Sequence, residues 1–219
     1  MSISLTSVGA VLVTHKNQIT QEQIQAYSLS LLWSQAVMRK SGRLIGTKDY
    51  FEALSAEMGR ISWNVTMVTV DTYSATDGSM NIACVTKGLT SKYLPPDQAD
   101  SVNALFDLID LSQPTDGLSS FLTTWWNCLD KSMSGTTFGV SPVILTSAGQ
   151  ITTTLSLLCF NASSSDWQSF FVGDVVSDIA LRAYHVELTL NAKLFETLRQ
   201  PIIEKLGQNA IASIRSLDL

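Results

Sequence analysis

With 219 residues, 45% of them hydrophobic and only 15% charged, the chain is long and apolar enough to bury one sizeable core, and its composition excludes a disordered protein. Its formal net charge of −5 argues against a nucleic-acid partner, because phosphate binding needs clustered Lys and Arg to displace counterions. Anionic membranes are not obvious targets for the same reason, and a single domain spanning residues 1–219 is the simplest organisation.

The first segment, Met1 to Lys16, has an apolar patch from Val8 to Val13 with no basic residue before it. That is not the form of a secretory signal peptide. No run approaches the roughly 20 apolar residues of a spanning helix. The expectation is a soluble protein, secreted or released without a recognisable leader, that meets any membrane from solution.

After this β-like start, Thr20-Gln21-Glu22-Gln23 has the S/T-x-x-Q form of a capping box. A helix is predicted from there through Ile24, Tyr27, Leu31 and Ala36, stopping near Ser41-Gly42. A second helix, from Thr47 or Lys48 to Arg60 with Phe51, Leu54 and Met58 on one face, completes an αα-hairpin. Trp63, Val65 and Met67 then alternate with Asn64 and Thr66, which predicts a strand. Asp77-Gly78 signals a turn, with Met80 to Thr86 as the returning strand.

Pro95-Pro96-Asp97 opens a helix with the stripe Val102, Leu105, Phe106 and Ile109. Gln113 to Gly117 turns the chain into a further helix carrying Leu118, Phe121, Leu122, Trp125 and Leu129, a second αα-hairpin. The aspartates between Leu94 and Asp130, with no Lys or Arg among them, read as a solvated face, since the ligand spacing and glycine of an EF-hand are missing. Phe138 to Leu145 contains Pro142 and reads as an edge strand or irregular β segment.

The stretch from Gln150 to Asn191 organises the rest, with three β-type segments: Ile151 to Asn161, Trp167 to Val172, and Arg182 to Asn191. In the last, Tyr184, Val186, Leu188 and Leu190 point to a core while His185, Glu187, Thr189 and Asn191 face water. In the first, Leu158 and Phe160 make the far end apolar on both faces, so it needs a helix layer or has a function. From Lys193 the pattern returns to helix, with Pro201 forcing a kink or restart, and Asn209 to Leu219 reads as a short helix through Ile211 and Ile214.

Motifs for catalysis are missing. Gly42 to Lys48 is one residue short of a phosphate loop and has Thr before Lys, and Gly139-Val140-Ser141 does not complete a nucleophile elbow. Cys84, Cys128 and Cys159 show no CxxC pairing and no His at metal-ligand spacing, so buried free thiols are expected, with one disulfide left open. His185 and Glu187 read as a solvent-side ion pair. A Cys159–His185 thiolate pair is conceivable, but the apolar setting of Cys159 predicts an inert thiol with a raised pKa. The expectation is no enzyme, no cofactor and no metal.

The aromatic residues are more informative. Trp125 and Trp126 end a helix, and Trp167, Phe170 and Phe171 follow the polar loop Ala162 to Asp166. Such side chains either fill a core or sit at a headgroup boundary. With Leu158 and Phe160 they are the candidate lipid contacts.

The order of elements, helix hairpin, β segment, helix hairpin, antiparallel strands and helical tail, resembles the Cyt-like fold family of cytolytic δ-endotoxins, volvatoxin and the Erwinia-type virulence factor that is acylated on a cysteine. The matching stretches are Ile24 to Val37 as first amphipathic helix, Thr152 to Asn161 as a Thr-rich then apolar strand, and Trp167 to Gly173 as the aromatic strand that follows. The resemblance implies an α+β fold, an antiparallel sheet flanked by two helical hairpins, Thr20 to Arg60 and Pro96 to Cys128, that peel away at a membrane. It implies a membrane-active, lipid-binding toxin or virulence factor without a cofactor, and a possible homo-oligomer. The acylated cysteine finds no matching motif here, leaving Cys159 as a candidate acylation or reactive thiol on its own residues, and the helical pattern from Lys193 stands where the family would place a strand. Two rival readings are a non-lytic protein that holds a fatty acid or other apolar ligand between sheet and helices, and an enzyme using Cys159 or His185.

Overall fold

A computed structural model describes residues 3–16, 18–75, 82–110, 115–127, 136–160, 166–172 and 179–217. The Asp77-Gly78 turn, Gln113, Cys128 to Asp130 and the Ala162 to Ser165 loop lie outside these residues.

The chain opens as a hairpin of β1 (Ser4–Val8) and β2 (Val11–His15). Gly9 makes its turn at φ +59°, and a Cβ there would collide with the side-chain amide of Gln35, so both backbone and space require glycine. The capping box forms as read. Thr20 Oγ1 accepts the Gln23 N–H at 3.3 Å and Gln23 Oε1 accepts the Thr20 N–H at 2.8 Å, starting α1 (Gln21–Lys40). Thr47 Oγ1 takes the Tyr50 N–H at 3.2 Å and starts α2 (Lys48–Arg60).

β3 (Trp63–Ala75) leads to α3 (Ile82–Tyr93), α4 (Pro96–Asp110) and α5 (Asp116–Asn127). β4 (Thr136–Leu145), β5 (Ile151–Phe160), α6 (Trp167–Phe171) and β6 (Ile179–Leu190) follow, and α7 (Ala192–Leu206), α8 (Gln208–Ile211) and β7 (Ile214–Leu217) end the chain. The strands form one sheet in the order β3-β6-β5-β4-β2-β1-β7. Every pairing is antiparallel except β2 with β4.

Helices cover both faces. α1, α2 and α7 bury Tyr27, Phe51 and Phe195 against Leu155, Tyr184 and Val186 of the sheet. On the other face α3 to α6 bury Phe106, Trp125 and Phe171 against Phe138, Leu158 and Leu181. Because successive residues of a strand point to opposite faces, β5 and β6 serve both cores, which is why the far end of β5 reads as apolar on both sides and why His185, on the face of β6 expected to meet water, is buried.

Four expectations are corrected. The expected strand from Met80 to Thr86 is helix where it is described: Ile82, Val85, Thr86 and Leu89 are buried at helical spacing, while Cys84 and Gly88 are exposed. Its β-branched residues disguised an i, i+3, i+4, i+7 stripe, and Cys84 is thereby exposed rather than buried. Trp167 to Phe171 is a short helix, not a strand. Asp166 caps it, accepting the Ser169 N–H at 2.7 Å, and the aromatic spacing i, i+3, i+4 is helical.

β4 is central rather than an edge. Its pairing with β5 lapses between Val140↔Ser156 and Val143↔Thr153 without a register change, so Pro142 occupies a place where no ladder bond is needed. Buried Ser141 there is held by Tyr27 Oη at 2.5 Å and Thr153 Oγ1 at 2.7 Å. Finally, Ile214 lies in β7, paired with Val8 of β1, and not in the expected terminal helix. Pro201 sits inside α7, which continues to Leu206.

Candidate functional site

The lipid-contact candidates converge on one place. Trp125 and Trp126 from α5, Trp167, Phe170 and Phe171 from α6, and Leu158 and Phe160 from β5 all enter the core between α3–α6 and the sheet. Phe138 of β4 and Phe106 of α4 complete the cluster, and sequence reading had not singled them out as site residues. Ring centroids lie 5.1 Å apart for Trp125–Phe138, 5.4 Å for Trp126–Phe170, 5.2 Å for Phe160–Phe170 and 5.1 Å for Phe138–Phe171. Several of these are edge-to-face pairs, which add roughly 0.5–1.5 kcal/mol each beyond area burial.

Two indoles are anchored. Trp125 Nε1 donates to the Thr137 carbonyl at 3.2 Å and Trp167 Nε1 to Thr123 Oγ1 at 3.1 Å. Trp126 Nε1 is buried and finds no acceptor among the described residues. Buried indole N–H groups usually find a partner, so this ring occupies the core at a cost. The cover itself has little local support. α6 has five residues, and α5 has twelve with no basic residue in its last turn. Helices this short are marginal alone in water, so the burial of their own aromatic side chains is what holds them down.

Beside the cluster lies a cleft of about 640 Å³, reached by Trp125 and Phe121 of α5, Leu54 of α2 and Leu157 of β5, with Arg39 and Arg215 also on its lining. Sequence reading missed this cleft because its walls come from eight elements, β1, β2, α1, α2, α5, β4, β5 and β7.

The two titratable candidates do not meet. Leu157 and Cys159 face the α1–α2 core, whereas Leu158 and Phe160 face the aromatic cluster. His185, paired with Ser156, shares the face of Leu158, so a Cys159–His185 thiolate pair is ruled out by sheet alternation. Burial pushes the Cys159 thiol up to about 11, its Sγ accepts from Thr137 Oγ1 at 3.7 Å, and the Gly46 loop lies over it.

His185 is fully buried, which overturns the solvent-side ion pair with Glu187; no such pair exists among the described residues. Its Nδ1 bonds Ser156 Oγ at 2.8 Å, and its ring stacks on Tyr93 at 5.0 Å. Tyr93 Oη in turn donates to Asp71, which also pairs with Lys92 at 3.5 Å. Burial lowers the imidazole to about 4, with Asp71 opposing the shift. Helix α3, missed in sequence, is what covers this ring.

No family model matches the sequence. No curated protein sequence matches it either. Solved structures do: a Cyt-type δ-endotoxin superposes with a TM-score of 0.51 at 10% identity, covering 84% of this chain and 81% of that one. The fold is Cyt-like. The Evf virulence factor also matches, with a TM-score of 0.39 at 8% identity over 90% of this chain and 80% of that one. At 10% identity the likeness to the δ-endotoxin is one of fold, and the Cyt-like chain's own residues must supply any functional argument.

Proposed function

We propose that this Cyt-like protein is membrane-active: a lipid-binding, cytolysin-like toxin or virulence factor that acts after release and needs no catalytic group, metal or cofactor. One observation carries the reading. Its apolar aromatic side chains are concentrated under α5 and α6, short helices that stay down by burying those same side chains. A bilayer interface offers them an alternative, since Trp and Phe partition to the headgroup boundary. Lifting this layer exchanges one apolar environment for another and so costs far less than exposing the cluster to water.

No helix among the described residues is long and apolar enough to cross a membrane. On this reading the helices therefore lie in the interface, and Leu158 and Phe160 become the lipid-facing part of the sheet. The net charge of −5 favours zwitterionic over strongly anionic bilayers. Self-association fits β3, an edge strand that exposes Val65, Met67, Val68 and Val70 and has no Lys or Arg along its length; edges without such charges are ready to pair with another strand.

Co-sedimentation and dye release with phosphatidylcholine vesicles test the proposal. Binding accompanied by a blue shift of Trp fluorescence is expected. Absence of binding across neutral, anionic and sterol-containing vesicles would sink it.

The cleft favours a second reading, a non-lytic protein that holds an apolar ligand between sheet and helices. Native mass spectrometry of the purified protein is then expected to show an added mass of lipid size. A bare polypeptide mass that no added lipid changes would count decisively against it.

A further inference from the structure

The cleft follows from a mismatch in strand lengths. β4 begins at Thr136, but its neighbour β2 begins only at Val11, which pairs with Gly139. The β1–β2 turn therefore leaves a notch along Thr136 to Phe138. Above it lies α5, below it the C-terminal end of α1 and the start of α2, and β7 contributes Arg215 and Leu217. Trp125 donates to the carbonyl of Thr137 within the notch, so the wall itself satisfies part of this backbone.

The lining is apolar in depth and cationic in character. Val11, Leu54, Leu157 and Phe121 supply hydrocarbon surface, and among the described residues no Asp or Glu lines the space. Arg39 comes from the last turn of α1 and Arg215 from β7, both exposed. Among the described residues neither has a carboxylate within ion-pair distance, whereas Arg43, Arg60 and Arg199 hold one at 2.9, 3.1 and 2.7 Å. In a chain with 19 acidic and 14 basic residues, two unpaired arginines on one apolar cleft are a strong local departure from the overall charge. Tyr50, also on the lining, has its phenol pushed up to about 12 by burial despite Arg39 nearby. It stays neutral and can donate a hydrogen bond.

We infer that the cleft binds a single-chain amphiphile with an anionic head group, its carboxylate or phosphate held by Arg39 and Arg215 and its hydrocarbon chain laid against Val11, Leu54, Leu157 and Phe121. This rests on the second reading above and adds the head group to it. A guanidinium pairs with carboxylate or phosphate oxygens through parallel N–H bonds, and about 640 Å³ falls within the roughly 300–1,000 Å³ usual for small-ligand sites. A neutral apolar ligand would leave both arginines unused, and a compact polar ion would leave the hydrocarbon wall unused.

The test is fluorescence titration with cis-parinaric acid, displaced in separate arms by oleate, by oleoyl lysophosphatidate and by neutral monooleoylglycerol. One site per chain is expected, with at least one of the two anions displacing the probe tenfold or more better than the glyceride. Comparing the two anions tells carboxylate from phosphate. The R39Q/R215Q double variant, altered only at exposed positions and checked by circular dichroism, is expected to lose that tenfold preference. T124W, on the exposed wall of α5, is expected to block all ligands. If the glyceride competes as well as the anions, or the preference survives R39Q/R215Q, the anionic-head inference is overturned while the apolar-ligand reading stands. If neither probe nor competitor binds, both fall.

Discussion

The two helix layers bury comparable side chains against the same sheet, yet they are held in different ways. On one face α1 spans 20 residues, begins with a complete capping box and ends with Arg39 and Lys40 in its last turn. α2 and α7 start on Thr47 and Asn191, each accepting a backbone N–H. Local chemistry and tertiary burial agree there. On the other face α4 and α5 lack a basic residue in the last turn, and α6 is a short helix of five residues that starts on the Asp166 cap. That layer depends on its aromatic cluster. A layer held mainly by side-chain burial can trade the core for another apolar phase; a layer whose helices are also long and capped has less to gain.

The sharpest way to break this comparison is to remove one ring from each core. Phe171→Ala and Phe51→Ala, both fully buried, should each cost about 3–5 kcal/mol in denaturant unfolding. Only F171A should increase vesicle binding, because only that layer is proposed to leave the sheet. Equal gains in binding for the two variants would make the layers equivalent.

Acid should act on the same side. His185 titrates near 4 in the folded protein, below its ordinary 6.5, so between those values the unfolded chain binds more protons. The stability contributed by neutral His185 is therefore full above pH 6.5 and is lost progressively as pH falls towards 4, by roughly 3 kcal/mol at most. The groups around it, Asp71, Lys92 and Tyr93, belong to β3 and α3, and Ser156 is uncharged. Asp71 is itself held below the usual carboxylate range by the Tyr93 hydroxyl and stays ionised across this window. Melting H185Q from pH 7 to 4.5 should give a flatter profile than the unmodified protein; matching slopes would place the acid sensitivity elsewhere.

The smallest expected effect sharpens the other face. T20A removes the capping box of α1 and should cost about 1 kcal/mol, without raising lipid binding. A gain in vesicle binding from this change would show that the capped layer also moves.

Much of this architecture was legible in the sequence, and the reason is local. Thr20 with Gln23, the stripe Phe51–Leu54–Met58 and the alternation Tyr184–Val186–Leu188 each encode an element within a few residues, through capping, a 3.6-residue period and a two-residue period. The aromatic candidates were also visible as residue types. Trp167 to Phe171 went astray because five residues fit both periods, and only the Asp166 cap decides between them. Ile82 to Leu89 went astray because β-branched side chains on a buried helical face look like strand.

What only the tertiary structure decided is which neighbours those elements acquire. Nothing near Pro142 announces that β4 will sit between β5 and β2, since the parallel partner is the β1–β2 hairpin more than a hundred residues earlier. Nothing near His185 announces Tyr93, and nothing near Arg39 announces Arg215, because proximity across a sheet is set by strand order rather than by spacing along the chain. The sequence by itself determined the longer helices α1, α2, α4, α5 and α7, most of the strands and a supply of aromatic side chains. The strand order gathered those side chains under α5 and α6, buried His185, and left a cleft where β4 outruns β2, because burial of both sheet faces is satisfied only by the assembled layers.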